Sequence, residues 1–388
     1  MTRHFISIVR KARLSLAVSG LVAWTAMVTV YSCTKTGGTV IGRDSTYFGR
    51  LPFVIKDNST FSNYYSALQM TGWLDTLSTE GPFTVLLPNN DTYLAGYNST
   101  TPAKGDLNSF ISSIGKYPLS SYVSYDILRG KWPLRSLPLG DNQELPTVVG
   151  SKVYITRYLS GTDTVTTVNG QKVISFDNPA SNGSIDVISS VIPNPKIYPS
   201  VLQIIQSDTN FAFFAAALQR THLDTLLLNG KGPYTVLVPT NTAFSWQLAN
   251  AATSYGVHPG INVFSVDSIL VADPVRLAAL VKYHILTGRY FLNDFNRLQT
   301  TDSLSLATLN GETVKYFAQT GGYAYFPIGT VAPQFYGNGN LQATYSYYQS
   351  AGIVYASFCG TVSCYAVNSS DRPADNGVVH MIGNVLLP

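Results

Sequence analysis

One sequence motif occurs twice in this chain, and the repetition limits the possible folds more than any other feature. The segment GPFTVLLPNNDTYL at 81–94 is matched by GPYTVLVPTNTAF at 232–244. In both copies a short apolar run bounded by prolines predicts a buried β-strand. Asn90 in the first copy and Asn241 in the second are placed to cap a helix that follows the strand. A catalytic site usually needs such a corner once, so two copies indicate a duplicated module.

Two further pairs of matched segments predict amphipathic helices. Residues 61–69 match 211–219, and residues 119–128 match 277–286. Apolar residues recur at spacings of three and four, as they do on one face of a helix. The expected helix starts in the second copy are Asp208 or Thr209 for the first pair, and Asp273 followed by Pro274 for the second.

A third matched pair closes each copy. Residues 177–188 correspond to 371–382, and both contain Asn-Gly, at Asn182 and Asn376. Asn-Gly is a strong signal for a two-residue hairpin turn. Each unit is therefore expected to end in a β-hairpin.

The three matched boxes together resemble tandem fasciclin-like domains. The resemblance rests on TVLLPNNDTY and TVLVPTNTAF, on the helix ends Tyr125-Asp126 and Tyr283-His284, and on the closing segment NGVVHMIGNVLLP. In the first copy Asp186 stands where the family usually has histidine. The resemblance implies an α+β fold of two tandem domains, each a wedge-shaped β-sandwich with a packed helical layer. It also implies a role in adhesion or extracellular binding, since known members are not characteristically enzymes.

The matched boxes divide the chain into successive segments. A Pro-containing segment at 194–199 is expected to link the two domains stiffly. The predicted segments are a signal peptide at 1–32, a lipidated cysteine and flexible tether at 33–49, a first domain at 50–195, and a second domain at 196–388 with an aromatic insertion around 318–370.

The N-terminus has the pattern of an export signal. Arg10, Lys11 and Arg13 precede an uncharged, largely apolar run at 14–31. Val30-Tyr31-Ser32-Cys33 resembles a bacterial lipobox, although the tyrosine is unusual there. The resemblance implies a lipoprotein whose partner is the lipid bilayer, reached through acylated Cys33; the alternative is a signal-anchor helix with an incidental cysteine. The predicted location is the cell envelope, anchored by lipid in the outer membrane, with the periplasmic or surface face left open.

The charge of the chain argues against nucleic acid as a partner. The formal net charge of +4 comes from 25 basic and 21 acidic residues. Four of the basic residues, and no acidic ones, lie within 1–32. The remainder has as many basic as acidic residues, so it carries no excess of positive charge for phosphate contacts.

Two cysteines remain if Cys33 carries lipid. Cys359 and Cys364 are separated by four residues, Gly-Thr-Val-Ser. In an oxidising compartment this pair predicts a small disulfide-closed loop, and the alternative is two free thiols. A metal site is less favoured because no histidine or further cysteine lies nearby at zinc spacing.

The histidines are weak candidates for chemistry. His284 lies on the apolar face of its predicted helix, and Asp126 stands at its position in the first copy. We therefore expect a hydrogen-bonded structural residue there, and the same reasoning applies to His380 and its counterpart Asp186. In some animal fasciclin proteins the tyrosine-histidine region is linked to integrin binding, so by resemblance Tyr283 and His284 occupy adhesion-motif positions.

Sequence signals for an enzyme or a bound cofactor are weak. The chain has no Gly-x-Ser-x-Gly elbow, and Gly337-x-Gly339 is followed by Gln342 where a dinucleotide loop would have glycine. We therefore predict no catalytic residue, no metal and no cofactor.

The largest difference between the copies is an insertion in the second one. It is rich in aromatic residues and almost uncharged. Such a segment predicts either a platform that stacks sugar rings or buries a protein partner, or an extra hairpin whose rings cover the sandwich. The candidate ligand-binding residues are Tyr323, Tyr325, Tyr336, Tyr345, Tyr347 and Tyr348.

Two functions fit these observations. The first is a non-enzymatic adhesion or binding lipoprotein of the cell envelope that contacts another protein or matrix. The second is a glycan-binding accessory lipoprotein of an outer-membrane nutrient-uptake complex. The sequence names neither the ligand nor the oligomeric state.

Overall fold

The protein is described by a computed structural model. Several predictions lie outside the residues it describes: the export signal, Cys33, most of the interdomain linker, and the side chains of all six candidate tyrosines of the insertion. The described residues are 49–90, 107–114, 118–192, 198–244, 265–298, 304–320, 331–336, 342–344, 346–350, 353–359, 364–366, 371–382 and 385–386.

The first domain begins with helices and continues into a sheet. Its helices are α1 (Leu51–Asp57), α2 (Ser62–Thr71), α3 (Trp73–Leu77), α4 (Leu107–Ile114) and α5 (Leu119–Tyr125). Its strands are β1 (Phe83–Pro88), β2 (Ile127–Arg129), β3 (Gly140–Pro146), β4 (Lys152–Ser160), β5 (Asp163–Val168), β6 (Gln171–Ala180) and β7 (Gly183–Ile188).

These seven strands pair in the order β2-β1-β7-β6-β5-β4-β3. The pairing of β1 with β7 is parallel, and the other pairings are antiparallel. One end of β6 pairs with β5 and the rest pairs with β7, so β6 joins two halves of the sheet.

The apolar run of β1 is buried because both of its faces are covered. Val85 and Leu87 pack into a cluster with the helices. Leu86 points the other way, into a cluster with residues of β3 and β4 such as Leu145 and Val153. Successive side chains of a strand face opposite sides, so one strand contributes to both layers. The predicted β-sandwich with a helical layer is confirmed in this domain.

The second domain repeats this order. Its helices are α6 (Val201–Ser207), α7 (Ala212–Arg220), α8 (Leu223–Asn229), α9 (Val266–Leu270), α10 (Pro274–Tyr283) and α11 (Leu292–Leu298). Its strands are β8 (Tyr234–Pro239), β9 (Ile285–Thr287), β10 (Leu304–Ala307), β11 (Thr313–Thr320), β12 (Val331–Tyr336), β13 (Gln342–Thr344), β14 (Ser346–Ser350), β15 (Ile353–Cys359), β16 (Cys364–Ala366), β17 (Arg372–Ala374) and β18 (Gly377–Ile382).

The sheet order β17-β18-β8-β9 reproduces β6-β7-β1-β2 of the first domain, including one parallel pair, β8 with β18. Two further sheets have the orders β10-β11-β12-β13 and β14-β15-β16. The inserted segment therefore contains β-strands, which fits both interpretations of it equally.

Helix starts in the second domain follow local sequence rules in part. The side chain of Asp273 accepts hydrogen bonds from the backbone of Val275 and Arg276, and Pro274 occupies the first turn of α10, as predicted. Asp208 instead caps a one-turn 3₁₀ helix, Thr209–Phe211, by accepting from the Asn210 N–H. Helix α7 follows that turn, so neither Asp208 nor Thr209 caps it directly.

Each corner asparagine contacts the first turn of the helix that precedes it. Asn90 Oδ1 accepts from the Asn63 N–H at 2.9 Å, in the first turn of the preceding helix α2. Asn241 Oδ1 accepts from the Phe213 N–H at 2.9 Å, in the same position of α7. In the second domain Thr240 takes the local capping role, since its Oγ1 accepts from the Ala243 N–H. For Asn241 the prediction was wrong, because capping rules consider only neighbours along the chain and here the partner lies 28 residues earlier. The residues that directly follow Asn90 lie outside the described ranges, so capping by Asn90 stays a prediction.

The hairpins are present, but their turns lie one residue earlier than Asn-Gly implies. Ala180 pairs with Gly183 and Ala374 pairs with Gly377, so both glycines open the next strand. A Cβ on Gly183 would lie 2.1 Å from the backbone oxygen of Phe83 in the parallel neighbour β1. Glycine is needed there because the two strands approach closely, and Gly377 meets Tyr234 in the same way.

The two domains contact each other within one compact unit, 49–388. A small apolar cluster joins Tyr154 of the first domain to Phe291 and Val378 of the second. The Arg289 guanidinium lies 3.6 Å from the centroid of the Tyr154 ring, an attractive cation–π geometry. The same guanidinium donates to three carbonyls around the β17–β18 turn, those of Ala374, Asp375 and Gly377.

Candidate functional site

The tyrosine-histidine positions of the adhesion motif are buried. Tyr283 is fully buried, and its hydroxyl donates to the Thr313 carbonyl at 2.7 Å. Tyr125 is its counterpart in the first domain, and it donates to the Lys152 carbonyl at 2.6 Å. Each tyrosine thus fastens a helix end to a strand of the sandwich, and neither ring presents a surface to a partner.

His284 is a hydrogen-bonded core residue, as expected. Its Nε2 accepts from the Leu386 N–H at 2.9 Å, so Nδ1 carries the proton and donates to the Leu280 carbonyl, also at 2.9 Å. Burial lowers the pKa of His284 to about 4. Its ring also contacts Phe214 edge-on, with centroids 5.7 Å apart. The neutral imidazole has no free nitrogen for a ligand or a proton transfer.

Asp126 occupies the same backbone position in the first domain. The Leu86 N–H donates to the Asp126 carbonyl, as the Leu237 N–H donates to that of His284. The Asp126 side chain is buried, and burial raises its pKa well above the ordinary value. The duplicated feature is therefore the backbone contact, while the side chain differs between the copies.

His380 and Asp186 are a second exchanged pair, and both accept a backbone hydrogen bond. His380 Nδ1 accepts from the Asp371 N–H at 3.3 Å, and Asp186 Oδ1 accepts from the Asp177 N–H at 2.8 Å. Asp371 and Asp177 have φ angles of 53° and 51°, a left-handed conformation that side chains rarely adopt. Imidazole and carboxylate thus perform one structural task, stabilising an irregular turn into the last hairpin.

Two more buried carboxylates support the loop before α11. Asp294 Oδ2 accepts from the Phe291 N–H, and Asp371 Oδ1 accepts from the Leu292 N–H. Burial raises the pKa of Asp294 to about 6 and that of Asp371 to about 7. Phe291 contacts the first domain, so these carboxylates help to position the interface.

Neither a metal cluster nor a membrane-spanning helix is found in the part of the chain that the structure describes. No group of three or more His, Cys, Asp or Glu residues there could hold a metal ion. None of the described helices is long and apolar enough to cross a bilayer.

Part of the predicted aromatic platform lies on described strands. Tyr336 ends β12, and Tyr347 and Tyr348 lie on β14, where Tyr348 is opposite Tyr355 of β15. Ligand binding by the candidate tyrosines stays a prediction.

The cysteine pair lies in the same small sheet. Cys359 and Cys364 are directly opposite each other across β15 and β16, a register whose Cα separation a disulfide can span. The bond itself stays a prediction.

A cleft in the first domain was missed by the sequence analysis. It has a volume of about 760 Å³ and lies between the α1–α2 connection, the corner after β1, and strands β6 and β7. Its described lining residues are Val54, Asn58, Ser59, Thr60, Phe61, Asn63, Asn89, Asn90, Ile174, Ser175, Asn178, Ile185 and Val187.

Alignment of the two copies gives a signal that points to this cleft. Asn58 and Asn178 of the first domain correspond to Asp208 and Arg372 of the second. In the second domain these two form an ion pair, with Arg372 Nη1 2.8 Å from Asp208 Oδ2. The exchange of a charged pair for two amides is visible in the sequence. Only the folded structure shows that the two amides line one cleft.

Comparison with known proteins identifies the family. The fasciclin domain family matches two stretches, 59–195 and 209–326. The chain therefore belongs to the fasciclin domain family, with two domains in tandem.

Individual relatives match parts of the chain. It is 28% identical over 239 residues to the transforming growth factor-beta-induced protein ig-h3 of Sus scrofa, covering 61% of this chain and 30% of that protein. It is 33% identical over 142 residues to protein sll1483 of Synechocystis, covering 37% of this chain and 72% of that protein. A solved FAS1 domain pair from the insect cell adhesion molecule fasciclin I aligns over 86% of this chain and 98% of that chain, with 18% identity and a TM-score of 0.33. The chain thus matches less than a third of the length of the Sus scrofa protein.

Proposed function

We propose that this protein is a non-enzymatic binding protein of the cell envelope that contacts another protein or matrix, in the manner of an adhesion module. Membership of the fasciclin domain family supports this proposal. The protein is held at the outer membrane by lipid on Cys33, so that the tether at 33–49 presents the two domains to their partner.

One observation carries the proposal. Within the described residues, His284, His380 and Asp371 make hydrogen bonds with the backbone inside the fold. A general base must be within reach of a substrate proton, and these groups are buried. Recognition by a surface requires none of these groups to react.

An attachment assay tests the proposal. Beads coated with the chain from residue 33 onward should adhere under shear to matrix deposited by the producing cells, and soluble chain should compete. Beads coated with an unrelated fold of similar charge are the control. Equal retention of both bead types would refute adhesion.

The lipid anchor has its own test. Cells should incorporate labelled fatty acid into the wild-type chain but not into a Cys33→Ala variant. Label retained by that variant would contradict the lipoprotein assignment without affecting the attachment assay.

The second candidate function, a glycan-binding accessory lipoprotein of a nutrient-uptake complex, is favoured by the uncharged cleft of the first domain. The first candidate function requires a protein or matrix ligand and the second requires a glycan, so saccharide binding in the cleft distinguishes them.

A further inference from the structure

We propose that the first-domain cleft binds a neutral saccharide, a short stretch of glycan chain. The proposal rests on the function proposed above, that of a binding protein, and it specifies one ligand class and one site. The site is separate from the aromatic insertion and from the tyrosine-histidine positions.

The size and composition of the cleft suit such a ligand. Its volume of about 760 Å³ falls within the range of roughly 300–1,000 Å³ that is usual for ligand sites. None of its described lining residues carries a charge, and amides and hydroxyls alternate with apolar side chains. Amide oxygens and hydroxyls form hydrogen bonds with sugar hydroxyls, whereas an ionic ligand would be left without a counter-charge.

Two of the amides are held in fixed positions before any ligand binds. Asn90 Nδ2 donates to the Ser59 carbonyl and to Ser62 Oγ, both at 2.9 Å. Asn178 Nδ2 donates to the Ile185 carbonyl at 2.9 Å and to Ser175 Oγ at 3.0 Å. Both N–H groups of each amide are thereby used within the protein, so each amide offers a sugar hydroxyl only its oxygen, as an acceptor fixed in advance. Such ordering lowers the entropy lost on binding, which favours affinity for a weakly interacting ligand such as a sugar.

Apolar groups on the cleft match the other face of a sugar ring. Ile174 is 50% exposed although it is a large aliphatic residue on a central strand. Phe61 is partly exposed, whereas its counterpart Phe211 is fully buried. Carbohydrate C–H faces pack against such surfaces while the hydroxyls meet the amides.

In the second domain an ion pair occupies the position that corresponds to the cleft. There the Arg372–Asp208 ion pair bridges the two elements, and the Arg372 guanidinium lies 5.8 Å from the ring centroids of both Tyr198 and Phe211. The fold therefore does not require an open cleft. In the first domain, Asn58 and Asn178 replace the pair, and the structure has an open cleft between them.

A peptide added as a strand is a poorer fit. Strand β6, which lines the cleft, has register shifts between Val173 and Ser175 and between Ser175 and Asn178. Asp177 between them has a positive φ of 51°. Bulges of this kind interrupt the regular ladder of backbone groups that an added strand requires.

The test uses the chain from residue 33 onward and a defined set of probes. Neutral hexasaccharides with gluco-, manno- and xylo-configured backbones and a hexamer of galacturonic acid are titrated by calorimetry. At least one neutral probe should bind, and the acidic probe should bind at least tenfold more weakly. No binding by any neutral probe would overturn the proposal, as would a preference for the acidic probe.

A closing variant locates the site. Asn58→Asp combined with Asn178→Arg introduces the ion pair of the second domain and should reduce saccharide affinity at least tenfold at an unchanged melting temperature. The matched control, Thr225→Asp with Asn229→Arg, adds the same charges on the exposed face of α8 and should retain wild-type affinity. Wild-type affinity in the folded closing variant would overturn the proposal.

A second variant covers the case in which the closing pair unfolds the domain. Ile174→Glu places a charge at a half-exposed position and should also lower saccharide affinity at least tenfold. Unchanged saccharide affinity in this variant would overturn the site assignment. A saccharide that extended peptides displace from the wild-type chain, and other sugars do not, would overturn it as well. Loss of the saccharide site with persistent bead attachment would leave the adhesion proposal intact.

Discussion

Replacing Asp186 by asparagine should stabilise the first domain at alkaline pH and weaken its pH dependence. Asp186 is fully buried, and one carboxylate oxygen, Oδ1, accepts the Asp177 N–H. The other, Oδ2, has no hydrogen-bond partner within the described residues. An asparagine retains an acceptor for Asp177 and is neutral at every pH, so it reproduces the protonated acid.

The sign of the effect follows from the pKa. Burial raises the pKa of Asp186 from its ordinary value of 3.8 to about 7. Its contribution to stability is thus fully present below the unfolded-state pKa and is lost as the pH rises through about 7. Each pKa unit is worth about 1.4 kcal/mol, so the loss has an upper limit of about 4 kcal/mol. Relaxation and water penetration reduce such penalties, and we expect about 2 kcal/mol.

Urea unfolding between about pH 3.5 and pH 8 measures the effect. Asp186→Asn should have wild-type stability near pH 3.5, below the unfolded-state pKa of 3.8, and exceed it by about 2 kcal/mol at pH 8, with part of the difference already present at pH 5. Hydrogen exchange of the β7 amides locates the change in the first domain. Asp163→Asn, at the exposed first residue of β5, is the control and should change stability by less than about 0.5 kcal/mol at either pH. An Asp186→Asn chain that is less stable than wild type at pH 8 would refute the reasoning.

Three further outcomes are expected. Arg289→Met should lower the free energy of unfolding by about 2–4 kcal/mol, because three backbone carbonyls lose their hydrogen-bond donor. Hydrogen exchange at the interface between the two domains should increase, and unchanged exchange would show that other contacts couple the domains. Thiol counting without reductant should find Cys359 and Cys364 bonded, and serine at both positions should cost less than about 3 kcal/mol because the loop is short; two reactive thiols would contradict the bond. Replacing Tyr345, Tyr347 and Tyr348 by alanine should lower partner binding severalfold and leave the stability of the first domain unaffected. Unchanged binding with a lower melting temperature of the second domain would mean that these three rings are core residues.

Local patterns were sufficient to predict the repeated elements. The apolar run of β1 between prolines, and its copy in β8, became buried strands because an uncharged run of that length can be stabilised only inside a fold. Asp273 and Pro274 start α10 because a capping carboxylate and a proline act on their nearest neighbours. Predictions of this kind succeed because the interactions involve residues that are adjacent in the sequence.

Contacts between distant residues were the part that the sequence could not predict. The capping partner of Asn90 lies 27 residues earlier, and Arg289 meets Tyr154 across the boundary between the copies. Gly183 was interpreted as part of a turn, although the close parallel approach of β1 is what requires it. The cleft escaped notice because its walls come from separate segments that only the folded chain brings together.

Differences between the two copies have two distinct physical meanings, and the structure separates them. At the buried pair Asp186 and His380, the side chains differ but each accepts a hydrogen bond from the same backbone position, so the exchange is neutral for the architecture. At the cleft, Asn58 and Asn178 do not replace the ion pair of the second domain in the same way. The Arg372 guanidinium connects and covers the two segments there, whereas the two amides of the first domain leave a cleft open to water. An open cleft gives up the burial that closure would provide. A duplicated domain that leaves one copy open while the other shows how to close it is therefore best explained by a ligand that occupies the open copy.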